Sequence, residues 1–147
     1  GARRASWLGV ALAALLLSVG AAGASGTVTG TEGRVVHYGS MNTDQLAAEV
    51  AQRLEIRPRA SHALLVLSPR DADGHSVAAS ATGEVRRLTG QRQSLAFRTR
   101  GKPGQQDLIA EFEIQDGEHL NFEIQIRLEG EPYPLELRFR RQFYHGG

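Results

Sequence analysis

Apolar and polar positions alternate most clearly toward the C-terminal end of the chain. Leu120, Phe122, Ile124, Ile126 and Leu128 alternate with Asn121, Glu123, Gln125 and Arg127. Successive side chains of an extended chain point to opposite faces, so a period of two predicts a strand with one buried and one wet face. The pattern recurs downstream, where Leu135, Leu137, Phe139 and Phe143 alternate with Glu136, Arg138, Arg140 and Gln142. It also precedes the first run, with Leu108, Ala110, Phe112 and Ile114 set against Glu111 and Glu113. Arg141 interrupts the apolar side of its strand, which predicts a bulge or the edge of the core there. Asp116-Gly117 and the Glu129-Gly130-Glu131-Pro132 run are turn sequences, the first a hairpin signal because glycine accepts positive φ. Residues 107–144 are therefore expected as an antiparallel three-strand meander. Its wet face would carry Glu111, Glu113, Glu123, Arg127, Arg138 and Arg140, placed to pair across strands.

Upstream, the SHALLVLS run from Ser61 to Ser68 is apolar at four successive positions, as in a strand buried on both faces. A turn at Asp71-Ala72-Asp73-Gly74 leads to a strand over Val77 to Leu88, with a bulge expected at Gly83. Arg92 to Arg100 alternates around Leu95 and Phe97, Gly101 to Gly104 is a loop, and Arg34 to Tyr38 is a short opening strand. One helix is predicted from Leu46, Val50 and Leu54 at i, i+4 and i+8, with Ala47 and Ala51 beside them. Asn42 or Thr43 would cap it, Asp44 suits its positive end, and Pro58 stops it. The fold class is mostly β: an immunoglobulin-like antiparallel β-sandwich of about seven strands with one short α-helix. A small barrel is the alternative.

The first residues follow another logic. Arg3 and Arg4 precede an uncharged apolar run from Trp7 to Val19, and Ala22-Gly23-Ala24 matches a small-residue cleavage site. Residues 1–24 are expected to be a secretory signal peptide, the apolar run being short for a bilayer span. Residues 25–32 are Gly/Thr/Ser-rich and are expected as a flexible lead-in to a single domain over 33–147. With Arg3 and Arg4 set aside, 15 basic residues face 16 acidic ones, a balance that excludes a strong nucleic-acid footprint. The chain has no cysteine, which excludes disulfides, thiol catalysis, Cys-based zinc and a lipoprotein anchor. The expected product is a periplasmic domain with no stable membrane anchor after cleavage.

Several separated segments resemble a proteobacterial family of exported proteins, DUF4426, a domain of unknown function. They are His37-Tyr38-Gly39-Ser40-Met41-Asn42-Thr43, then Leu46 and Glu49-Val50-Ala51, Leu88-Thr89-Gly90-Gln91, the strand Glu118-x-Leu120-x-Phe122-x-Ile124, and the ending Arg141-Gln142-Phe143-Tyr144. Met41 departs from the pattern, where an aromatic is expected, and so does Arg57-Pro58-Arg59, where an arginine-serine pair is expected. The resemblance implies a periplasmic setting and supplies no activity.

Chemistry-bearing residues are sparse in pattern. His37, His62, His75, His119 and His145 show neither i, i+4 spacing nor an H-x-H, so no metal site and no cofactor are predicted from spacing. No G-x-S-x-G elbow is present. The expected function is a non-enzymatic module that binds a periplasmic or envelope protein or another envelope component. Its edge strand would be Arg34 to Tyr38 or the C-terminal strand. The alternative is a small-ligand or metal-binding protein with a polar pocket near the helix start. Its candidate ligand residues are His37, Tyr38, Asn42, Thr43 and Gln91. For Asn42 and Thr43 the competing reading is the helix cap.

Overall fold

A computed structural model describes residues 25–145; the expected export signal at 1–24 lies outside them. In chain order the elements are β1 (Ser25–Thr29), β2 (Val35–Asn42), a 3-10 turn (Thr43–Gln45), the helix α1 (Ala48–Leu54), β3 (His62–Arg70), β4 (Ala79–Arg87), β5 (Arg92–Leu95), β6 (Arg98–Arg100), β7 (Asp107–Glu113), β8 (Glu118–Leu128) and β9 (Leu135–Phe143). Two antiparallel sheets face each other: β1-β2-β3-β7-β6, the first sheet, and β5-β4-β8-β9, the second. The fold is the expected β-sandwich and not a closed barrel. No helix among the described residues is long and apolar enough to cross a membrane.

Among the described residues the strands number nine rather than about seven, for two reasons. Ser25–Thr29, expected as a flexible lead-in, pairs with β2 from Ser25↔Gly39 to Thr29↔Val35, and its Val28 packs on the core. A β-branched pair of threonines and a valine suffice for an edge strand once a partner is present. The segment over Arg92 to Arg100 is split, its first part pairing β4 in the second sheet and its last part pairing β7 in the first.

The expected meander over 107–144 is also corrected. β8 and β9 form a hairpin from Glu118↔Phe143 to Ile126↔Leu135, but β7 pairs with β3 and β6 in the opposite sheet. The Asp116-Gly117 turn therefore crosses between sheets. Alternation fixes which face is buried, and a facing sheet satisfies that demand as well as a lateral neighbour does. No bulge forms at Gly83, nor at Arg141, where a bulge or the edge of the core is expected. Register runs unbroken past Arg141 and past Gly83. Gly83 serves close approach instead, since a Cβ there would lie 2.7 Å from the Glu123 carbonyl oxygen.

Between the sheets, Phe112 meets Phe122 edge-on at 5.1 Å and Phe143 at 5.4 Å, while Phe122 stacks on Phe139 at 4.3 Å. Each fully buried ring of this kind contributes about 1.5–3 kcal/mol of transfer free energy. A second cluster lies on the outer face of the first sheet. There Leu46, Ala51, Leu54 and Ile56 of the helical segment cover Met41, Leu64, Val66 and Ile109. β3 is thus buried on both faces, as its unbroken apolar run predicts. Among the described residues nothing packs over the outer face of the second sheet, which is lined by polar side chains.

α1 begins later than predicted. Its N-cap is Ala47, not Asn42 or Thr43, and neither cap position makes a side-chain capping bond. β2 stays paired with β3 through Asn42↔Ala63, so Asn42 is still extended where the cap would be needed. The helix ends with Glu55 in the left-handed region, φ 59°, three residues before Pro58.

Candidate functional site

The five sequence candidates occupy different places. Tyr38 faces the interior and stacks on Phe139 at 5.3 Å; a Cβ at Gly26 would sit 2.8 Å from its hydroxyl. Asn42 Nδ2 donates to the Tyr144 carbonyl at 2.5 Å. Thr43 is fully buried, and its Oγ1 accepts the Arg59 amide at 2.9 Å and shares its proton between the Arg59 and His62 carbonyls, at 2.9 and 3.1 Å. Gln91 is exposed in the β4–β5 turn, where its carbonyl accepts the Arg87 amide. Asn42 and Thr43 are adjacent and committed to the main chain; the five do not share one pocket.

His37 sits apart, in a polar row across the outer face of the first sheet. Thr27, His37 and Ser68 are in register over β1, β2 and β3, and Asp107 is in register with Arg100 over β7 and β6. Arg70 Nη2 donates to Asp107 Oδ1 at 2.7 Å, and its Nη1 donates to the carbonyls of Gln106 at 2.7 Å and Pro69 at 2.8 Å. Burial pushes the Asp107 carboxyl up, against the opposing pull of Arg70. Ser68 Oγ adjoins that carboxylate without reaching normal hydrogen-bond geometry. Burial also pushes the His37 imidazole down, with Arg70 adding to the effect and Asp107 opposing it. His37 is accordingly a neutral, half-buried base at neutral pH.

Histidine, serine and aspartate in one row suggest a hydrolytic triad, but the geometry does not make one. The serine lies in the middle, it is 1% exposed, and Asp107 is held by Arg70 instead of orienting the imidazole. Sequence reading missed Ser68, Arg70 and Asp107. Charges that flank apolar runs usually read as strand ends in water. The available signal is that β3 leaves no wet face along its length, so an arginine within it must find a buried partner.

The outer face of the second sheet is a further polar surface. In register across it run Ser94, Glu84, Glu123 and Arg138, then Arg92, Arg86, Asn121 and Arg140. Arg86 pairs with Glu123 at 3.5 Å and with Glu84 at 3.8 Å, and Arg92 with Glu84 at 3.8 Å. Arg127, Arg138 and Arg140 form no ion pair among the described residues. Two shallow depressions of about 300 and 510 Å³ lie here, the first bordered by Glu84, Glu123, Glu136 and Arg138, the second by Arg86, Asn121, Arg138 and Arg140.

One group of possible metal donors is present among the described residues. Ligand atoms of Asp71, Asp73 and His75 in the β3–β4 turn lie within 4.8 Å of one another. Asp71 Oδ1 already accepts the amides of Asp73 at 2.9 Å and His75 at 3.0 Å.

The sequence profile of a family described as "Domain of unknown function (DUF4426)" matches residues 30–146. No curated protein matches the chain. A crystal structure of a DUF4426 family protein from Pseudomonas aeruginosa PAO1 is similar at 25% identity and a TM-score of 0.71, over 84% of this chain and 97% of that one. FetP of uropathogenic Escherichia coli strain F11, expressed recombinantly in the periplasm, is similar in fold at 9% identity and a TM-score of 0.60, over 85% and 97% of the two chains. A copper-bound variant of FetP is similar at 9% identity and a TM-score of 0.54, over 85% and 93%.

Proposed function

The chain belongs to the DUF4426 family, and from that premise we propose that it is a non-enzymatic periplasmic module that binds another envelope protein through the open face of its second sheet. One observation carries the reading. Among the described residues the first sheet's outer face is packed under the α1 segment, whereas none packs over the second sheet's outer face, which carries Arg127, Arg138 and Arg140 without ion pairs. A sandwich needs no cover on a polar face. Cations left unneutralised there favour an acidic partner by complementarity and steer its approach. The export pattern of Arg3, Arg4 and the apolar run after them supports the compartment. A photo-crosslinking residue at Gln125, in the middle of this face, should give a discrete adduct in periplasm that R127E/R140E abolishes. The same residue at Arg53, exposed on α1, should give none. Identical adducts from both positions would sink the reading.

A second reading, metal binding at the β3–β4 turn, is favoured by the convergence of Asp71, Asp73 and His75 and by the copper-bound state of a protein of similar fold. Two carboxylates and an imidazole are a donor set that suits zinc or copper. Calorimetric titration of the chelator-treated protein with each metal tests it. Binding should be stoichiometric and should be lost in D73N/H75A.

A further inference from the structure

β9 is a free edge. Among the described residues it pairs only with β8, and at 9 residues it is the longest of the four edge strands there, against 5 for β1, 4 for β5 and 3 for β6. A free edge keeps a row of unpaired backbone donors and acceptors, and proteins normally blunt or occupy a long one. The outward side chains along it are Glu136, Arg138 and Arg140, all exposed and all without an ion pair among the described residues. The inward ones are Leu135, Leu137, Phe139 and Arg141, and Arg141 is spent on the Ser40 hydroxyl at 2.8 Å.

We propose that β9 pairs antiparallel with β9 of a second copy, about a two-fold axis at Leu137, fusing two four-stranded sheets into one of eight strands. Residues facing each other across a pair must share a face, so the axis has to pass through a residue. Through Leu137, Glu136 of each copy faces Arg138 of the other, and Leu135 faces Phe139, because the run Glu-Leu-Arg is its own charge complement when reversed. Each neighbouring register sets like charges directly opposite each other, the Arg138-centred one despite also pairing Glu136 with Arg140. An axis at Arg138 sets two Arg138 side chains opposite each other. An axis at Phe139 sets Arg138 against Arg140, and one at Glu136 sets two Glu136 carboxylates together. Antiparallel ladders contain both hydrogen-bonded and non-hydrogen-bonded pairs, so the Leu137 pair is workable whichever set of β9 amides points outward. The axis leaves Gln125 and Arg127 in the middle of the second sheet open; it engages Arg138, which the proposed partner face shares, and sedimentation of the purified protein alone reads the dimer separately from that partner.

Sedimentation equilibrium tests it. The wild-type protein should dimerise. R138E turns both cross-axis pairs into Glu–Glu contacts and should weaken the dimer about tenfold or more. E136R/R138E exchanges the charges and should restore the wild-type affinity, with circular dichroism confirming that all variants are folded. A wild-type protein that stays monomeric into the hundred-micromolar range would overturn the proposal. So would a dimer indifferent to R138E, or one that the charge exchange fails to restore.

Discussion

Arg70 Nη2 lies 2.7 Å from Asp107 Oδ1, and both side chains are 1% exposed on the outer face of a sheet that is otherwise apolar under its helix. Desolvating two charges costs several kcal/mol per ion, and their attraction recovers it only with good geometry and further hydrogen bonds. Arg70 has those further bonds, to the carbonyls of Pro69 and Gln106. Asp107 still carries an excess burial cost, since its carboxyl is held above the ordinary range despite the guanidinium beside it. The pair thus fixes the end of β3 against β7 in one arrangement without adding much net stability.

Breaking the pair from either side should therefore be severe. R70M or D107N alone should cost about 3–5 kcal/mol in urea denaturation, because each leaves an uncompensated buried group. The double variant R70M/D107L should cost clearly less than the sum of R70M and D107L, since neither charge remains. Additive losses would show that the two side chains do not act as a unit.

His37 gives the same region a pH dependence. Its pKa lies below the ordinary 6.5 in the folded protein, for burial and Arg70 both disfavour the imidazolium. The unfolded chain then binds this proton more readily than the folded one. Stability from this group is complete above pH 6.5 and is lost as pH falls from 6.5 through the lowered folded value. Asp107 acts in the opposite sense, because a raised carboxyl favours the folded state on acidification. H37N removes the first effect and keeps the second. Thermal midpoints at about pH 7 and 5 should fall less on acidification for H37N than for wild type; equal slopes would remove His37 from the account.

The sandwich was readable in the sequence because alternation is a local signal, and Leu120 to Leu128 or Leu135 to Phe143 need no partner to declare their buried side. Pairing was less readable. Leu108 to Ile114 has the same alternation, yet whether it lies beside β8 or across the core from it depends on β3, some forty residues upstream. Arg34 to Tyr38 was likewise a candidate edge, and it became interior once Ser25–Thr29 paired on its outer side. Of the predicted helix stripe, Val50 and Leu54 lie on α1, whereas Leu46 precedes it in an extended conformation and still packs into the same cluster; the start was misplaced because Asn42 and Thr43 are good caps in isolation and were claimed by tertiary partners. Of the candidate site, His37 was visible as a lone histidine. Its neighbours Ser68, Arg70 and Asp107 were not, because their proximity is set by sheet register.

Thr43 separates a structural role from a ligand role most directly. Its hydroxyl bonds the Arg59 amide at 2.9 Å and also reaches the Arg59 and His62 carbonyls, tying the end of β2 to the segment that leads from α1 into β3. The residue is fully buried, so no ligand reaches it without local opening. T43V keeps the shape and removes both donor and acceptor, stranding the main-chain groups; it should cost about 1–3 kcal/mol. T43S keeps the hydroxyl and loses one methyl group, and should cost no more than about 1 kcal/mol. Chemical denaturation of the three proteins gives the comparison, and limited proteolysis should show cleavage of T43V first between Arg57 and Ser61, where the clamp is released. A T43V protein as stable as wild type would mean that these bonds are replaced by water at no cost, and the clamp would have to be abandoned.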